Sequence, residues 1–98
     1  MTKNQVNYNP QELELFVASI VKNDFNYMSS NHPGLEDKLK EHGIYWGEIY
    51  SALEGRREIV VTTNGMFIIR CATPDNVRLA ITCKRRGDYL RTIGVDLE

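Results

Sequence analysis

Apolar residues recur at helical spacing in the first half of this chain and at strand spacing in the second. Leu13, Phe16, Val17, Ile20 and Val21 fall three or four positions apart and form one apolar stripe. Asn9 offers an N-cap oxygen, Pro10 a fixed φ at the first helical position and Glu12 the second half of a capping box. A first helix is therefore expected from Pro10 to about Asn23. A second, short helix is expected from about Pro33 to His42, with Leu35 and Leu39 one turn apart and Gly43 ending it. A third spans roughly Tyr45 to Glu54, presents Ile49 and Leu53 on one side and is stopped by Gly55. Phe25 to Asn31 reads as a linker whose two aromatics, Phe25 and Tyr27, tuck under the fold.

From Glu58 onward the pattern changes to four runs rich in β-branched and aromatic residues: 58–63, 66–72, 77–84 and 89–95. Asn64-Gly65 tolerates positive φ, Thr73-Pro74-Asp75-Asn76 has the chemistry of a type I turn, and Arg85-Arg86-Gly87-Asp88 supplies a third reversal. The expected architecture is an α+β domain, three N-terminal helices packed on a four-stranded antiparallel meander of order 1-2-3-4. With Asn64-Gly65, Pro74-Asp75 and Arg86-Gly87 as central pairs of two-residue turns, Val61 faces Ile68, Ile68 faces Ile81 and Ile81 faces Thr92. Ile59, Ala72, Val77, Leu79, Cys83 and Leu90 then share the helix-covered side. Phe67, Ile69, Cys71 and Val95 fall on the other, with Thr82 opposite Arg91 and Lys84 opposite Tyr89.

Composition bounds this picture. With 98 residues, 42% hydrophobic and 26% charged, the chain suits a single domain over residues 1–98 with residues 1–8 flexible. Residues 1–49 carry a net −3 and residues 50–98 a net +2, so the strand half is the cationic half. The beginning lacks the apolar run of a signal peptide, and no stretch approaches the roughly 20 apolar residues that span a bilayer. A cytoplasmic protein without membrane contact is expected. Cys71 and Cys83 match no metal spacing and fall on opposite sides of the expected sheet, so both read as small buried hydrophobes.

Candidate chemistry concentrates at the third turn. Thr82, Lys84, Arg85, Arg86, Tyr89 and Arg91 place guanidinium and ammonium groups beside a phenol on an uncovered sheet surface. Such a group can hold phosphate oxygens, stabilise charge developing at phosphorus and stack on a base. The alternative use of these cations is solubility and protection of a sheet edge. His42, before Gly43, suits the negative end of a helix dipole, whereas His32 lies in a loop and is freer to act. Trp46 and Tyr50 on the third helix are candidate partner anchors or a roof over the core. No glycine-flanked serine, Gly-rich phosphate loop or metal motif is present.

The order of helices, glycines and strands carries a resemblance. Ser30-Asn31-His32, Lys38-Leu39, His42-Gly43-Ile44, Ala52-Leu53-Glu54-Gly55 and Thr92-Ile93, spread over residues 30–95, resemble the small ribonuclease-toxin superfamily that includes RelE, MqsR and BrnT. The resemblance implies a domain that binds or cleaves RNA without metal or cofactor. Lys84, Arg86 and Arg91 would hold phosphate, and Tyr89 or His32 would handle a proton or stack on a base. A second hypothesis from a different class is a non-catalytic protein-binding module, an inhibitor, immunity or antitoxin-type partner. In that case Trp46 and Tyr50, or the charged faces, meet another protein. The sequence leaves the oligomeric state open.

Overall fold

The computed structural model describes residues 9–29, 34–62 and 65–98. Residues 1–8, expected to be flexible, lie outside them, as do His32, Pro33 and Asn64. Among the described residues the chain forms three helices and one five-stranded sheet.

Helix α1 (Pro10–Lys22) starts where the Asn9 side chain accepts the Gln11 N–H at 2.8 Å, and it buries Leu13, Phe16, Val17 and Ile20. Helix α2 (Leu35–His42) ends at Gly43, φ 68°, where the Ile44 N–H reaches back to the Leu39 carbonyl at 2.9 Å and both side chains are buried. That is a Schellman closure with its apolar contact, which only a left-handed residue allows without strain. Helix α3 (Trp46–Glu54) is started by Glu48, whose carboxylate accepts the Tyr45 N–H at 3.1 Å. Gly55 ends it in an extended conformation, not the left-handed one that Gly43 adopts. Arg57 ties the layers together: its Nη1 donates to the Leu53 carbonyl at the end of α3, and its Nη2 pairs with Glu14 of α1 at 2.8 Å.

The sheet is not the four-stranded antiparallel meander expected from the sequence. Its order is β1-β5-β4-β3-β2, with β1 (Met28–Ser29), β2 (Arg57–Val61), β3 (Phe67–Ala72), β4 (Arg78–Arg86) and β5 (Tyr89–Leu97). Strand β1 arises within the stretch expected to be a linker and lies parallel to β5, pairing Met28 with Leu90 and Ser29 with Arg91. It is anchored by the Leu90 N–H donating to the Tyr27 carbonyl at 2.8 Å. A two-residue strand is too short for periodicity to signal it.

The other correction concerns register. Thr62 N–H donates to the Met66 carbonyl and Thr73 N–H to the Val77 carbonyl, so each of the first two hairpins closes over three intervening residues instead of two. In the second, Asn76 takes φ 66°, a left-handed conformation that asparagine tolerates. One extra residue in each loop leaves β2 and β4 in phase and flips β3 alone. Phe67, Ile69 and Cys71 therefore face the helices, with Ile69 between Ile59 and Ile81, while Ile68 and Ala72 turn outward. Cys71 and Cys83 consequently lie on the same side. Their registers still differ, Cys71 opposite Leu79 and Cys83 opposite Phe67, and both remain free thiols.

In β5 a bulge opposite Thr82 and Cys83 leaves Ile93 and Gly94 between two inward residues, Thr92 and Val95. That insertion moves Val95 into the core, against expectation. Among the described residues the Thr92 hydroxyl, buried there, has no hydrogen-bond partner. All three helices pack on the inward side; among the described residues no helix covers the other side.

Two measurements check this arrangement. Phe67→Ala should cost about 3–5 kcal/mol in chemical denaturation, whereas Ile68→Ala should cost about 1 kcal/mol or less. Equal losses would contradict the flipped β3. Thr92→Val, which removes a buried unpaired hydroxyl at constant shape, should raise stability by about 1 kcal/mol, and a loss of that size would show that the hydroxyl has a partner.

Candidate functional site

Strand β4 alternates strictly. Leu79, Ile81 and Cys83 are buried under the helices, so Arg78, Ala80, Thr82, Lys84 and Arg86 line the open side. Gly87, φ 63°, and Asp88 form the two-residue turn into β5. The central pair is thus one residue later than expected. The slip moves the cross-strand pairings next to the turn by two positions and leaves the sides unchanged, so Lys84 now faces Arg91 and Arg86 faces Tyr89, while Thr82, beyond the bulge, is moved by three and faces Gly94.

The structure therefore brings five of the expected residues, Thr82, Lys84, Arg86, Tyr89 and Arg91, onto one uncovered surface. Lys84 and Arg91 are direct neighbours of like charge, a pairing that costs stability in a sheet. The side chains of Lys84, Arg91 and Arg86 make no hydrogen bond or ion pair with any described residue. The carboxylates of the open side are occupied elsewhere. Glu98 and Glu58 bind Arg70 at 2.9 and 3.1 Å, and Asp96 binds Lys38 at 2.6 Å. The hydrogen bond and charge of Glu98, with the charge of Glu58, raise the Arg70 pKa above its ordinary value. The Tyr89 ring, 52% exposed, meets Tyr27 edge-on with centroids 5.5 Å apart.

Arg85 does not join this group. As the odd member of the alternation it faces the helix side opposite Leu90, where its guanidinium lies 4.4 Å over the Phe16 ring and its Nε donates to the Gly87 carbonyl at 3.0 Å. His32 is outside the described residues. Trp46 and Tyr50 are half-buried: Trp46 packs against the core, and Tyr50 stacks on Phe25 with centroids 4.3 Å apart. Next to them Tyr45, 76% exposed, borders a groove of about 270 Å³ formed with Leu39, Ile44 and Trp46.

Sequence reasoning missed Arg78. It occupies the far end of the same side of β4, three alternations before Lys84; its carbonyl accepts the Glu98 N–H at 3.0 Å, but its guanidinium makes no hydrogen bond or ion pair with a described residue. The period-2 pattern contains that signal, but Arg78 lies far along the chain from the cationic turn.

The two thiols offer no nucleophile. Burial pushes Cys71 from the ordinary thiol value up to about 11, and it raises Cys83 as well. Among the described residues no group of three His, Cys, Asp or Glu side chains is placed to hold a metal ion. No helix among them is long and apolar enough to cross a membrane. No protein-family model, curated protein or solved structure matches the chain.

Lys84→Gln should stabilise the protein by about 0.2–1 kcal/mol in low salt by removing the repulsion from Arg91. The gain should shrink as salt screens the pair; a loss in thermal denaturation at low salt would show that Lys84 has a favourable partner. A thiol whose pKa is raised by folding stabilises the folded state below its unfolded value of about 9. That contribution is lost as pH climbs towards about 11. Stability of the wild type should therefore fall more steeply between pH 9 and 11 than that of Cys71→Ala, and parallel profiles would contradict the buried, neutral thiol.

Proposed function

We propose that the open side of the sheet is an RNA-binding surface of a cytoplasmic, toxin-like domain. The observation that carries this reading is the Lys84–Arg91 pair. Two cations are held side by side, with Arg86 and the exposed Tyr89 ring adjoining and every open-side carboxylate already engaged with another cation. A polyanion relieves that repulsion and releases counterions when it binds, and a phenol at the edge of the patch offers a stacking surface to a base. In this reading Lys84, Arg86 and Arg91 hold phosphate and Tyr89 stacks. Any cleavage draws on the Tyr89 hydroxyl, Arg91 and His32 for proton transfer and charge stabilisation, without metal. The arrangement of the placed residues supports retention of RNA more directly than its cleavage.

A second reading, a non-catalytic protein-binding module, has one observation in its favour: the groove of Leu39, Ile44 and Trp46 beside exposed Tyr45. Tyr45→Ala should abolish capture of a protein partner under that reading and leave RNA retention unchanged.

Fluorescence anisotropy with a labelled single-stranded RNA tests the first reading. Affinity should fall with salt at a logarithmic slope near −2, about 0.7 for each of three neutralised phosphates. Arg91→Ala should reduce both affinity and slope while the fold is retained. Wild-type protein that leaves the RNA free at low salt would remove the proposal, and degradation of the RNA by wild type but not by Tyr89→Phe would extend it to catalysis.

A further inference from the structure

The cations of the open side are not confined to the β4–β5 turn. Arg78 and Arg86 project from the same side of β4 eight positions apart, a separation of about 26 Å at roughly 3.3 Å per residue. Arg78 borders a cavity of about 420 Å³ that it shares with Arg56, Arg70, Ala72 and the carboxylates Glu58 and Glu98. Arg70 is engaged by two carboxylates, whereas Arg56 and Arg78 make no ion pair or hydrogen bond through their guanidinium groups with a described residue.

Between these two cationic ends the floor is low. Thr82 of β4 lies opposite Gly94 of β5 and Ala80 opposite Asp96, whose carboxylate is held by Lys38; Ile68 and Ile93 flank them, and Ala80, Thr82, Gly94, Ile68 and Ile93 are all half-buried. A Cβ built on Gly94 would meet nothing within 4 Å, so the space above it is open, and its φ is not left-handed. The bulge has thus placed a residue without a side chain in the middle of a surface whose two ends carry unneutralised cations.

We infer that this side holds an extended single strand of RNA lengthwise along β4. One phosphate group lies between Lys84, Arg86 and Arg91, a second lies at Arg78 and Arg56, and the intervening nucleotides cross Ala80, Thr82 and Gly94. A lane of this length spans on the order of four nucleotides, the lower end of the range covered by sheet-based single-strand binders. The inference rests on the RNA-binding reading above and adds to it a footprint, a direction along the strand and a second phosphate seat.

Labelled oligouridylates of two, three, four, six and eight nucleotides test it by anisotropy at fixed low salt. Affinity should climb to four or five nucleotides and then level off. Arg78→Ala should weaken the hexamer about 5–10-fold and leave the dinucleotide unchanged, and Arg78→Lys should restore most of the loss. Lys84→Ala should weaken both lengths. Gly94→Leu, which fills the open floor, should weaken the hexamer at least tenfold with an unchanged melting temperature. Loss with Lys84→Ala but wild-type hexamer affinity in both Arg78→Ala and Gly94→Leu would overturn the lane and leave the RNA-binding reading standing. No binding at any length by wild type would overturn both.

Discussion

Burial of one side of the sheet under three helices is the constraint on which the rest of this structure depends. Phe67, Ile69, Ile81, Leu90 and Val95 are almost fully excluded from water against Leu13, Val17, Ile49 and Leu53, and no comparable layer of described residues covers the reverse side. Because strand side chains alternate, placing these residues inward forces their neighbours outward. Lys84, Arg86 and Arg91 are therefore gathered on the open side by the packing of Cys83, Leu90 and Thr92. The cationic surface follows from the core.

Local strain at the sheet edge serves the same arrangement. Asp24 and Phe25 both adopt positive φ after α1, an unusual conformation for an aromatic residue that costs on the order of 1–3 kcal/mol where it occurs. Stacking of Phe25 on Tyr50 offsets that cost. The tight reversal delivers Tyr27 and Met28 to β5, and with them the short parallel strand that borders the Tyr89 end of the open side.

Much of this was legible in the sequence, and the failures have definite causes. The helices lay close to their expected bounds because Asn9-Pro10 and Gly43 are strong punctuation and the stripe of Leu13, Phe16, Val17 and Ile20 has an unmistakable period. Strand phase was less secure, since a turn motif does not disclose whether its loop has two residues or three. The left-handed Asn76 lengthened one loop, and the phase of β3 changed with it. The bulge at Ile93, which an isolated glycine in a strand, Gly94, can signal, was not expected from the pattern and redirected Val95. Of the candidate residues, Thr82, Lys84, Arg86, Tyr89 and Arg91 share one side of the sheet as expected, because a slip of two positions at the third turn preserves sides. Arg85 lies on the other side, since a residue between Lys84 and Arg86 in a regular strand must face the other way. Arg78 shares the alternation of β4 with Lys84 but lies far from the cationic turn, and the place of Gly94 opposite Thr82 depends on the bulge.

The decisive property is which side of the sheet meets the ligand. Titration of isotopically labelled protein with a single-stranded RNA, followed by amide and arginine side-chain NMR shifts, reads that directly. The account predicts perturbations at Arg78, Thr82, Lys84, Arg86, Arg91 and Gly94, with α1, α3 and the inward residues of β3 unaffected. Perturbations concentrated on Tyr45, Trp46 and the groove beside α2, with the open side silent, would contradict it.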